Sequence, residues 1–86
     1  MITKSEQQHI VSVLREELRT VESNYDEIIS WQRGEEHKIT IVFSNFFIPQ
    51  ALIEIVMNVC KDEGVHWYIS DTCPATMRYN LYIHIN

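Results

Sequence analysis

The chain has 86 residues, 45% of them hydrophobic and 22% charged, with only two glycines and two prolines. That length supports one domain burying roughly 60–65% of its unfolded surface, and the composition excludes a disordered or low-complexity chain. A net charge of -5 argues against direct binding of a nucleic-acid duplex or long single strand, because such affinity comes largely from Lys and Arg on phosphates.

The opening segment MITKSEQQHI has no apolar leader core, and no stretch approaches the run of about 18 apolar residues that a membrane span needs. A cytoplasmic protein without membrane contact is expected, with both cysteines as free thiols. Ser5 followed by Gln8 reads as a capping box, and Ile10, Leu14, Leu18, Val21 and Tyr25 then recur at helical spacing. This predicts a first helix with one apolar stripe. Its opposite face, Arg15, Glu16, Arg19 and Glu22, is solvated.

The segment YDEIISWQRGEEHKITIVFS changes to a period of two around Gly34, which predicts a hairpin. Pairing Ile29 with Ile41 and Trp31 with Ile39 places these four and Phe43 on one side, and Ser30, Gln32, Lys38 and Thr40 on the other. A second helix is expected from about Pro49 to Glu63, with Pro in its first turn and Gly64 at its stop. Leu52, Ile55, Val56 and Val59 form its stripe, widened by Ala51, Ile53, Met57 and Cys60. Such width suits packing on the sheet and the first helix together, or on a second subunit in a homodimer.

The last segment, VHWYISDTCPATMRYNLYIHI, predicts a second hairpin. Setting Val65 opposite Ile85 pairs Trp67 with Ile83 and Ile69 with Leu81, leaving Cys73 to Met77 as the loop. On the reverse face the same register sets His66 beside His84, Tyr68 beside Tyr82, Ser70 beside Asn80 and Thr72 beside Arg78. The expected fold is α+β: a single domain over residues 1–86, in αββαββ order, built from two αββ units of about residues 5–44 and 49–86. Its sheet is four-stranded and mostly antiparallel, with two helices on one face and the other face open.

Cys73 and Arg78 stand close in DTCPATMRYN, as in enzymes that hold a phosphate between a thiolate and an arginine. Those enzymes place five residues between the pair and begin a helix there. Here four intervene, Pro74 removes one backbone N–H, and the following segment reads as a strand. A hairpin turn is the better reading. A His66–His84 pair could offer two imidazoles to zinc, but no carboxylate or thiol on that face completes a set, so no metal is expected. Gly34 and Gly64 stand alone, which leaves no phosphate loop, and the paired carboxylates fall on helix surfaces and loops. No catalytic residue and no cofactor is assigned.

What remains is the open sheet face. Tyr68, Tyr82, His66, His84, Arg78 and Asn80 combine apolar area with hydrogen-bonding tips, as interfaces require. Phe46 and Phe47, before the second helix, form a second candidate surface. The expectation is a small acidic, non-enzymatic module that binds another protein, of the compact inhibitor type common in phages and mobile elements, acting on a host protein. The alternative is a homo-oligomer that stacks a flat, nucleotide-like ligand on the aromatic face, with Arg78 on its phosphate.

Overall fold

The computed structural model of the chain describes residues 2–21, 25–43, 47–71 and 81–86. Helix α1, Lys4–Glu17, is capped by Thr3 and not by Ser5. Thr3 Oγ1 accepts the Glu6 N–H at 3.1 Å, and Glu6 Oε1 accepts the Thr3 N–H at 3.2 Å. Both T-x-x-E and S-x-x-Q fit the capping pattern. The earlier one prevails because Ile2 is tied to His37 by a β-bridge, which fixes where the chain enters the helix. α1 ends sooner than expected, passing into a 3₁₀ turn at Leu18–Thr20 where Thr20 Oγ1 donates to the Glu17 carbonyl at 2.8 Å. Val21 and Tyr25 therefore leave the helical stripe, although both still pack against the core.

Strands β1, Glu27–Arg33, and β2, Glu36–Phe43, form the first hairpin. Their register is Ile28↔Ile41, Ile29↔Thr40, Trp31↔Lys38 and Arg33↔Glu36, one residue away from the expected pairing. The turn decides this. Only Gly34 and Glu35 connect the closing pair, and Gly34 has φ +62°, the positive value favoured at the first central position of a two-residue loop. The expected register required a three-residue connection. A slip of one residue exchanges the faces of a strand, so Ile28 enters the core while Ile29 and Trp31 turn to the open face.

Helix α2, Gln50–Glu63, begins after Pro49 and stops at Gly64, as the local signals require. Gly64 adopts φ +67°, its N–H reaching the Lys61 carbonyl at 3.3 Å and the Val65 N–H the Cys60 carbonyl at 2.9 Å. That is a Schellman stop. Leu52, Val56, Val59 and Cys60 are buried, while Ile55 is half-buried and Met57 exposed.

Strands β3, Trp67–Ser70, and β4, Leu81–Ile85, pair as Trp67↔Ile85, Tyr68↔His84, Ile69↔Ile83 and Ser70↔Tyr82. This is two residues from the expected register, so the faces are kept but the neighbours change. β4 also pairs antiparallel with β2, Thr40 opposite His84 and Ile41 opposite Ile83, giving the sheet order β1-β2-β4-β3. The core lies between this sheet and both helices. Ile39, Ile41, Phe43, Ile83 and Ile85 from the strands meet Ile10, Leu14 and Leu18 on one side and Leu52, Val56 and Cys60 on the other. The α+β architecture with its helices on one face is as expected. No described helix is long and apolar enough to cross a membrane.

Candidate binding surface

The alternation that buries Ile39, Ile41, Ile83 and Ile85 sends their neighbours to the opposite face. One row crosses all four strands there: Ile29, Thr40, His84 and Tyr68. Thr40 is its pivot. Trp31 Nε1 donates to Thr40 Oγ1 at 2.9 Å, and the same oxygen lies 3.1 Å from His84 Nδ1. With its oxygen accepting from the indole, the hydroxyl can give its proton to an unprotonated Nδ1, which leaves the imidazole proton on Nε2.

A neutral imidazole is what the surroundings favour. Burial is the larger cause, and the Lys38 charge adds to it; both hold the His84 pKa below its ordinary 6.5. Tyr68 stacks on the imidazole with ring centroids 4.8 Å apart and planes 28° apart, and Tyr82 lies at 5.9 Å and 22°. The Lys38 ammonium sits 5.7 Å from the Trp31 ring centroid and 3.5 Å from a Glu36 carboxylate oxygen. The result is a stripe of three aromatic rings and one imidazole tied together by stacking and hydrogen bonds.

The expected site residues fare differently. Tyr68 is 52% exposed, whereas Tyr82, on the same face, is only 4% exposed. His66 does not stand beside His84, because Tyr68 takes that place. It lies instead against Asn86, whose N–H donates to the His66 carbonyl at 3.0 Å. The imagined pair of zinc-facing imidazoles is thus taken apart by the two-residue change of register. Among the described residues no group of three or more side chains is arranged to hold a metal ion. Phe47 is largely exposed in the segment leading into α2. Phe46, Arg78, Asn80 and the Cys73–Met77 loop lie outside the described residues.

Trp31 joins the site unannounced, since the expected register had turned it inward; Lys38 and Thr40 stand on the open side as expected but had not been counted among the site residues. The signal that places Trp31 is the two-residue Gly34-Glu35 connection. Cys60 offers no chemistry on this face: it is sealed in the core, and burial pushes its thiol pKa up to about 11. No protein-family model matches the chain, and no curated protein sequence matches it.

Proposed function

We propose that the chain is a non-catalytic module that binds another protein through the open face of its sheet. The observation that carries this reading is the fixed Trp31–Thr40–His84–Tyr68 stripe, in which Trp31 remains 38% and Tyr68 52% exposed. Large aromatic rings already held in place lose little freedom when a partner covers them, and Trp and Tyr are enriched among residues that dominate binding energy. Half of the twelve acidic side chains lie on the two helices, and the net charge of -5 draws in a basic partner while the aromatic face makes the contact. Occupying a basic site on a nucleic-acid enzyme is the inhibitory mode this charge suits.

The test is affinity purification with the intact protein from its native host, followed by calorimetry with the purified partner. Tyr68→Ala and Trp31→Ala are expected to weaken binding by roughly five- to thirtyfold, the effect of losing about 1–2 kcal/mol at an interface anchor. Met57→Ala, on exposed α2 surface, is expected to leave it unchanged. Equal affinity for all three variants and the parent removes the proposal. A nucleotide present at 100 times its dissociation constant adds about 2.7 kcal/mol of stability. Such a gain, lost in Tyr68→Ala, would assign the face to a flat ligand instead.

A further inference from the structure

We infer that β1 is a self-pairing edge: two copies of this chain join antiparallel through β1 about a two-fold axis at Ser30, making one continuous eight-stranded sheet from two four-stranded ones. β1 lies at one end of the sheet order and pairs with β2 over seven consecutive residues, Glu27 to Arg33, with a bulge-type bond from the Asp26 N–H to the Val42 carbonyl at 2.8 Å confined to its outer end. Its interior, residues 28–32, carries no charge, proline or glycine. Charge and proline are devices that normally keep an edge strand from pairing with another chain, and the interior of β1 has neither. The opposite edge, β3, has only four residues.

The free backbone groups fall in a usable phase. The closing pair of a two-residue hairpin loop is a hydrogen-bonded one, so Arg33, Trp31, Ile29 and Glu27 direct their amides to β2. Ile28, Ser30 and Gln32 then present their N–H and C=O groups to the outer edge, where no described strand pairs with them. A second β1 running antiparallel satisfies all of them when Ser30 meets Ser30 and Ile28 meets Gln32.

Charge selects this register and no neighbouring one. With Ser30 on the axis, Glu27 of one copy faces Arg33 of the other, twice by symmetry, and Ile29 faces Trp31 on the open side. A shift of one residue would set core side chains against surface ones. A shift of two sets Arg33 against Tyr25, or Glu27 against Glu35. Among the described residues neither Glu27 nor Arg33 has an ion-pair partner within its own chain. Beside Ser30 a groove of about 430 Å3 opens between β1 and α1, lined by Val11, Ser12, Arg15, Glu16 and Arg19 among others. The two-fold axis brings two such grooves together, and their mixed charges let the α1 helices approach. This pairing does not depend on what the aromatic face binds.

Sedimentation equilibrium of the full chain tests it with charge exchange. The parent protein is expected to dimerise, and Glu27→Arg or Arg33→Glu alone to raise the dissociation constant at least about tenfold, since each change sets like charges opposite one another at both symmetric positions. The double variant Glu27→Arg/Arg33→Glu restores the attraction and the parent affinity. Ser30→Pro, which removes an edge donor without touching the β2 ladder, abolishes the dimer. A parent chain that stays monomeric at millimolar concentration overturns the inference. So does a dimer indifferent to both single reversals and to Ser30→Pro, or a double variant no tighter than the singles.

Discussion

Thr40 links two rings because its oxygen can accept from one and its hydroxyl proton can serve the other; a protonated His84 breaks that arrangement. With a proton on Nδ1, both the imidazole and the Trp31 indole donate to Thr40 Oγ1, and the Thr40 hydroxyl proton must find another acceptor in a nearly sealed position. Burial first, and Lys38 second, hold the folded-state pKa of His84 below 6.5. The unfolded chain therefore takes up the proton more readily than the folded one. Stability from this site is complete above about 6.5 and declines as pH falls through that value toward the folded pKa. His84→Gln is expected to flatten this part of the pH profile in urea unfolding. Lys38→Gln should move the His84 midpoint in an NMR titration partway back up, burial remaining as the larger cause. A parent midpoint at or above 6.5 would contradict the assignment.

Among the elements, α1 poses the sharpest choice, because two capping boxes overlap in T-K-S-E-Q-Q. Thr3→Ala removes the cap in use and is expected to cost about 1 kcal/mol. Ser5→Ala, on the exposed first turn, stays within about 0.5 kcal/mol of the parent. Denaturant midpoints for the two variants separate the alternatives, and a larger loss at Ser5 would refute the observed cap. Sequence alone presents both boxes, and what chooses between them is the bridge from Ile2 to His37, a contact across 35 positions of chain. Helix α2 was legible for the opposite reason: Pro49 and Gly64 act within their own turn. The strands lie between these cases. Period two reveals a pair of hairpins, yet it is blind to a shift of two, which is why Tyr68 and His84 reach the expected face while His66 loses His84 as its neighbour. A shift of one is visible only through the loop length at Gly34, and overlooking it turned Trp31 inward and hid it from the site, whereas Thr40 keeps the open-face position that alternation along β2 gives it.

Across the whole molecule, the helical layer and the open face are joined through one side chain. Gln7, only 6% exposed on α1, donates from Nε2 to the carbonyls of Trp31 at 3.0 Å and Lys38 at 2.7 Å. The backbone pair beneath the Trp31 indole and the Lys38 ammonium is thus gripped from the core side by a residue of the opposite layer. Gln7→Leu forfeits both bonds but leaves the carbonyls paired in the β1–β2 ladder, so a loss of about 1–2 kcal/mol is expected. Gln7→Glu is worse at neutral pH. It offers no donor and presses a desolvated carboxylate against two carbonyl oxygens, at a cost of about 3 kcal/mol or more. Such a carboxyl holds its proton more tightly when folded than when unfolded, and once protonated it regains one O–H donor. The variant therefore approaches the parent below the unfolded carboxyl pKa of about 4.3 and falls away from it as pH rises through the higher folded value. Urea unfolding at pH 7.5 and 4.5, read as the difference between the Glu variant and the parent, should show that gap narrowing in acid. An equal gap at both pH values would mean that position 7 is not held against those carbonyls, and that the aromatic face takes its support from elsewhere.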